Sequence, residues 1–225
     1  MPFQQLFSAV LATSLCVPFM TRATDGVSVD PEKRTVTIDA KIAPRKMDDP
    51  KFQGVIYPIE VIACWPYPKG QKAHETVVTI DVKPSEVHQA LEKLGLKPGT
   101  PVMGESKEPP QGPEVIVYLQ FDGPDGRSKR VPIEKTLLDP KTNKNMPKVK
   151  WRFTGSKMTK PSPDKDETVY GADLTGTLIA IFPVTDETVF QTNLTMKDEP
   201  LIKLETNTKV LPEIGTDVLL VIQVP

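Results

Sequence analysis

Cysteine and histidine are scarce in this chain of 225 residues, which has two of each. Cys16 lies in an apolar run near the N-terminus. If the chain is cleaved after that run, Cys64 is the single cysteine that remains. One cysteine forms no internal disulfide and supplies neither a four-cysteine zinc site nor an iron–sulfur cluster. We therefore expect no iron–sulfur cluster and no resident cofactor. Cys64 follows an apolar stretch, which favours a small buried hydrophobic residue over a nucleophile.

The short motifs on which many enzyme classes depend are also missing. The sequence contains no nucleophile elbow, phosphate-binding loop, dinucleotide-binding glycine pattern, HExxH helix or paired CxxC. Its formal net charge is −1, so it offers no bulk attraction to nucleic acid. These features favour a non-catalytic protein that has no nucleic-acid partner.

The N-terminus has the pattern of a targeting signal. Residues 6–20 form an uncharged apolar run, shorter than the roughly 20 residues of a membrane span. Small residues follow, and we predict a signal peptide over residues 1–23 with cleavage after Ala23. The protein is then exported, to the periplasm or the medium. An uncleaved anchor and a lipoprotein at Cys16 are the alternatives, and Leu15 is bulky for lipid attachment.

Proline is abundant, with 24 residues, and it argues against long helices and for short strands joined by turns. Alternating or continuous apolar segments predict strands at residues 27–29, 35–42, 55–65, 76–82, 115–121, 129–133, 148–153, 178–182, 188–194, 201–207 and 218–224. We expect a single mainly β to α+β domain over residues 24–225, with many short, mostly antiparallel strands. The polar segment 155–167 is predicted to be a flexible loop.

One helix stands out at about residues 84–94, and we expect it to pack on the sheet. Pro84 suits a first helical turn, because the missing N–H of proline costs nothing there. An apolar stripe at helical spacing comprises Val87, Ala90, Leu91 and Leu94. Gly95 is placed to end the helix in a left-handed conformation.

Seven segments from this region to the end of the chain carry a recognisable pattern: residues 74–76, 83–85, 94–101, 138–142, 146–147, 151–156 and 211–218. Together they resemble the YdjY domain family, over roughly residues 27–224. The resemblance implies an exported bacterial protein of a family without an established activity. Some relatives are associated with iron–sulfur sequences, but this chain lacks the cysteines for such a cluster.

The two histidines are the candidate chemical residues. His74 and Glu75 stand at the entry to a predicted strand, where a metal ligand or a proton-exchange group is conceivable. Strand alternation would turn their side chains to opposite faces, which favours a hydrogen-bonded His74 and a solvated Glu75. His88 lies on the flank of the helix, with Glu92 on the same side. If His74 and His88 converged, Cys64 would complete a three-ligand site for zinc or copper.

Three hypotheses for function remain open. The leading one is a non-catalytic binding or structural role in the cell envelope, with an envelope protein or polymer as the partner. The second is metal binding around His74. The third is binding of an anionic polymer through a basic face at residues 141–152, which includes Lys148, Lys150 and Arg152.

Overall fold

A computed structural model describes residues 21–225 of the chain, and short strands dominate it. The strands are β1 (Thr21–Thr24), β2 (Val27–Asp30), β3 (Thr35–Ile42), β4 (Val61–Cys64), β5 (Thr76–Ile80), β6 (Glu114–Asp122), β7 (Ser128–Pro132), β8 (Leu137–Asp139), β9 (Lys144–Asn145), β10 (Trp151–Phe153), β11 (Met158–Thr159), β12 (Val169–Tyr170), β13 (Thr177–Ala180), β14 (Phe190–Thr192), β15 (Glu205–Thr206) and β16 (Asp217–Gln223). The helices are α1 (Pro84–Lys93) and α2 (Ala172–Thr175), with 3-10 turns at Pro50–Phe52, Ala73–Glu75 and Ile133–Thr136. The predicted mainly β class, with one main helix, is confirmed.

The main sheet closes on itself as an eight-strand barrel. Its strand order is β3-β16-β6-β10-β14-β13-β4-β5, and β5 returns to β3 through the pairs Ala40 with Ile80 and Ile42 with Val78. Most pairings are antiparallel, and β4 with β5 and β13 with β14 are the parallel ones among the described strands. The strands β1 and β2 extend the sheet from the first half of β3. The predicted strands at residues 27–29 and 35–42 therefore pair as a hairpin.

Apolar side chains fill the interior, as the alternation along the strands predicts. Along β6 the buried positions are Val115, Val117, Leu119 and Phe121, and the residues between them are exposed or half-buried. The large core side chains include Trp151, Phe153, Phe182 and Phe190. Burying an aromatic side chain of this kind stabilises a fold by about 2–3 kcal/mol.

Helix α1 packs against β2, β3 and α2 through its predicted stripe, in which Val87, Ala90 and Leu91 are fully buried. Its C-terminus has the bond pattern of a Schellman motif. The Gly95 N–H donates to the Glu92 carbonyl, and the Leu96 N–H donates to the Leu91 carbonyl. Gly95 takes a positive φ of 86°, which confirms its role as the helix stop.

Several strand predictions were too long or misplaced. Segment 55–65 forms a strand only at β4, since Pro58 has no N–H to give to a ladder. Segment 148–153 is reduced to β10. Segment 201–207 does not close the main sheet, because β15 pairs with β8 in a separate small sheet. The predicted loop 155–167 contains β11, which pairs with β12.

The predicted signal segment falls mostly outside the described residues. Residues 1–20, with Cys16, are not described, and the expected cleavage point after Ala23 lies within β1. None of the helices in residues 21–225 has the length and apolar character that a membrane crossing requires.

Candidate functional site

His74 and Glu75 lie in a 3-10 turn rather than at the start of a strand. The Glu75 N–H donates to the Lys72 carbonyl at 3.0 Å, and β5 begins only at Thr76. The strand alternation that we expected to separate the two side chains is therefore absent. His74 Nε2 lies 3.2 Å from Glu75 Oε1, and Glu75 is buried rather than solvated.

A half-buried charge network surrounds this turn. Lys72 Nζ lies 2.8 Å from Glu75 Oε2 and 3.1 Å from Glu60 Oε2. Burial acts to lower the pKa of Lys72, but its bonds to Glu75 and Glu60 outweigh burial and raise it. Burial, together with the charge of Glu75, raises the pKa of Glu60. The network thus holds one cation between two carboxylates.

The ring of His74 is packed between aromatic side chains. Its centroid lies 4.8 Å from that of Phe52 and 4.9 Å from that of Tyr57. Burial, and then the positive charge of Lys72, lowers the pKa of His74. The neutral ring is therefore the form that this environment favours.

Cys64 is fully buried on β4, as the apolar segment predicts. Burial raises the pKa of its thiol to about 12, so it stays a thiol at neutral pH. Its Sγ lies 3.1 Å from the Trp65 carbonyl oxygen. These properties fit a core residue better than a reactive one, since reactivity requires the thiolate.

His88 belongs to a different part of the molecule. Its Nδ1 lies 2.7 Å from the Tyr170 hydroxyl, and its Nε2 lies 3.5 Å from the Glu92 carboxylate. The Ser156 N–H also donates to the Tyr170 oxygen at 3.1 Å. Thus the predicted pairing with Glu92 is present, but His88 also connects α1 to β12.

The structure does not bring the two histidines together. His74 contacts Phe52, Tyr57 and Glu75, and none of these side chains contacts His88. Across residues 21–225, no three His, Cys, Asp or Glu side chains are grouped closely enough to hold a metal ion. Within the described residues, His74, His88 and Cys64 therefore do not form the shared ligand set that we considered.

The basic face at residues 141–152 is divided and partly neutralised. Lys150 Nζ lies 2.9 Å from Glu114 Oε1, and Arg152 also pairs with Glu114 at 3.3 Å. The hydrogen bond from Lys150 lowers the pKa of Glu114. Lys141 and Lys144 lie around the β8–β9 hairpin, which belongs to a different sheet from β10.

Two recesses are lined by different residues of the same two segments, 102–104 and 183–185, which we call the ridge. We call the larger one the groove, and it has a volume of about 510 Å³. Its apolar lining comprises Val102, Pro109, Pro110, Pro183, Leu194 and Met196, and its charged lining comprises Glu105, Lys107, Glu108 and Lys197. The groove therefore has an apolar surface with charges of both signs.

The smaller recess, which we call the pocket, has a volume of about 270 Å³. Its polar lining includes Lys72, Lys157, Thr175, Thr177, Asp186 and Glu187. Met103 and Val184, from the ridge, also line it. The Met103 side chain is 59% exposed, so the ridge presents an apolar tip between the two recesses.

A buried glutamine fixes the ridge. Gln191 on β14 is 1% exposed, and its Oε1 accepts the Val102 N–H at 2.9 Å. Its Nε2 donates to the carbonyls of Val102 at 2.7 Å and Thr185 at 2.9 Å. The Gly104 N–H also donates to the Pro183 carbonyl at 2.8 Å. The two segments of the ridge are thus held to each other and to the barrel.

A family model for the YdjY domain matches residues 27–223 of the chain. The chain belongs to the YdjY domain family. This confirms the resemblance that the sequence segments indicate. No curated protein and no solved structure shows a significant match.

Sequence reasoning missed the groove and the pocket of this YdjY domain. The proline-rich segment before β6 predicts a loop, but nothing in it indicates that the loop forms the wall of a recess. Gln191 is the one available signal, since it is a polar residue that directly follows Val189 and Phe190 on a predicted strand. A buried amide needs several partners, so such a residue indicates a fixed polar network.

The ion pairs and hydrogen bonds of the polar side chains indicate what this YdjY domain can do chemically. Around His74 the charged side chains form ion pairs with one another, and His88 contacts the side chains of Tyr170 and Glu92. The groove and the pocket instead offer a preformed concave surface with an apolar ridge. Such a surface is suited to holding a ligand.

Proposed function

We propose that this YdjY domain is an exported, non-catalytic binding domain that holds a component of the cell envelope across the ridge. The observation that carries the proposal is the Gln191 network, which fixes a ridge with an exposed Met103 between two recesses. A surface fixed before binding loses less conformational entropy when the ligand arrives.

The size and shape of the site favour an extended ligand. The groove alone falls within the range of ligand pockets, roughly 300–1,000 Å³. The pocket continues the concave surface on the other side of Met103. A polymer segment can occupy both recesses at once, whereas a small molecule fills one of them.

The signal-like N-terminal sequence supports export, and export supports an envelope component as the ligand. The apolar run at residues 6–20, followed by small residues, is typical of a secretory signal. An exported protein meets the polymers and proteins of the envelope. The partnered state of the titratable groups around His74 supports a binding role rather than a catalytic one.

The test is retention of envelope material by the purified exported protein. Met103→Asp places a charge on the ridge, and we expect it to reduce retention at least about tenfold, because burying an unpaired charge costs more than about 1.4 kcal/mol. Met158→Asp is the matched control, since Met158 is 57% exposed and lines neither recess. It should retain as much as the wild type.

Two results contradict the proposal. The first is that the wild type retains no protein or polymer from the extract. The second is that Met103→Asp and Met158→Asp retain equal amounts, which would place binding away from the ridge.

A further inference from the structure

One wall of the groove has main-chain groups without partners in the protein. Residues 105–108 are exposed, belong to no helix or strand, and make no hydrogen bond within the described chain. The chain is fixed on either side of them. The Gly104 N–H donates to the Pro183 carbonyl at 2.8 Å, and Thr100 and Gln111 exchange backbone hydrogen bonds of 3.1 and 3.0 Å. The N–H and C=O groups of residues 105–108 thus lie on a segment anchored at both ends and are available to a partner.

The charged side chains of the groove are unpaired as well. Glu105, Lys107 and Glu108 lie on this wall, and Lys197 lies on the other lining segment, residues 193–197. Within residues 21–225, none of the four takes part in an ion pair. A ligand that carries charges of both signs can pair with all of them, whereas the two glutamates would repel an anionic polymer.

The remaining lining of the groove is mostly apolar. Val102, Leu194 and Met196 are half-buried, and Leu194 and Met196 pack against the core. A polypeptide segment offers every group that this groove can pair with. It has apolar side chains, side chains of both charges, and N–H and C=O groups along its main chain. A neutral polysaccharide has no charges for the four unpaired side chains.

We propose that the groove binds an extended polypeptide segment of an envelope protein. The main chain of the segment hydrogen-bonds to residues 105–108, and an apolar side chain covers Leu194 and Met196. An acidic side chain of the segment pairs with Lys197, and a basic one pairs with the glutamates of the wall. The inference rests on the proposed function, because it names the class of partner that the same site holds.

The probe is a displayed library of random dodecapeptides, selected on the full-length exported protein. We expect the enriched peptides to carry an apolar residue flanked by charges of both signs. The strongest peptide is then synthesised with blocked ends, so that its termini carry no charge. Isothermal titration calorimetry measures its dissociation constant.

Lys197→Glu tests the charge of the groove. The dissociation constant of the peptide should rise about fivefold, because an attractive pair at the surface becomes a repulsive one. Lys209→Glu is the matched control, since Lys209 is exposed and lines neither the groove nor the pocket. It makes the same change in net charge and should alter the constant less than about twofold. A peptide whose acidic residues are replaced by lysine should prefer Lys197→Glu to the wild type.

Hydrogen exchange locates the bound peptide on the protein. A saturating amount of peptide should slow the exchange of the amides of residues 105–108 at least about tenfold, because their N–H groups become hydrogen-bonded. Residues 164–168 are the internal control, since they are exposed and line neither recess. Their exchange should not change.

Three results overturn the inference. The first is that no peptide is enriched, and the second is that the enriched peptides bind Lys197→Glu and the wild type equally. The third is that the tetramer of N-acetylglucosamine slows exchange at residues 105–108 while no peptide does. The retention of envelope material by Met103→Asp is measured separately and decides the proposed function. Retention that depends on Met103, without any bound peptide, would keep the proposed function and overturn this inference alone.

Discussion

Two fully buried polar side chains on neighbouring strands, Gln191 on β14 and Thr177 on β13, have opposite surroundings. Gln191 makes three hydrogen bonds, all to the two segments of the ridge. Thr177 Oγ1 makes none within the described chain. The paired group stabilises the shape of the site, while the unpaired group costs stability. The comparison separates a buried polar group that stabilises the fold from one that destabilises it.

The largest expected effect comes from removing the paired side chain. Gln191→Leu leaves the Val102 N–H and the carbonyls of Val102 and Thr185 without partners, and we expect a loss of about 3 kcal/mol in the free energy of unfolding. Urea denaturation measures it. Gln111→Leu is the control, because Gln111 is exposed and should change stability by less than about 0.5 kcal/mol. Equal stability of the two variants would contradict the role of Gln191.

A paired hydroxyl on the same strand should show a smaller loss. The Thr192 hydroxyl donates to the Ile181 carbonyl and accepts the Leu194 N–H at 2.9 Å. Thr192→Val leaves both groups unsatisfied, and we expect a loss of about 1–2 kcal/mol by urea denaturation. If Thr192→Val were more stable than the wild type, hydrogen bonding would not decide whether a buried hydroxyl stabilises or destabilises this protein.

The same change at the unpaired position should have the opposite sign. Thr177→Val removes a buried hydroxyl that has no protein partner, so we expect the free energy of unfolding to rise by about 1 kcal/mol. Urea denaturation measures the gain. A destabilised Thr177→Val would mean that the hydroxyl is satisfied in the unliganded protein.

The smallest expected effect is on the pH dependence of stability, through the imidazole of His74. Burial lowers the pKa of His74 below its ordinary value of 6.5. As the pH falls through about 6.5, the unfolded chain takes up a proton at His74 before the folded protein does, so stability declines until the folded pKa is reached. His74→Gln should show a shallower decline of the melting temperature between about pH 7 and 5. An unchanged or steeper decline would contradict a neutral, buried His74.

The sequence was sufficient to predict the helices and strands that are determined by residues close together in the chain. Helix α1 follows from Pro84, a stripe at helical spacing and Gly95, and the β6–β7 hairpin follows from alternation around a turn. The 3-10 turn at His74 was missed, because a single turn of three residues leaves no periodic pattern. That omission led to the incorrect separation of His74 from Glu75.

The closure of the barrel and the ridge could not be predicted, because both depend on contacts between distant segments. The pairing of β3 with β5 and the bonds from Gln191 to Val102 join residues far apart in the chain. Alternation reveals which face of a strand is buried, but it does not identify the neighbouring strand. The groove and the pocket are products of those distant contacts.

The position of the last strand has a consequence for how the chain acquires its structure. β16 lies between β3 and β6, and it pairs with both along most of its length. Contacts of such long sequence separation form late, after the loop between them has closed. Until β16 has paired, the barrel therefore stays open at the gap between β3 and β6, and each of these two strands has one edge without its partner.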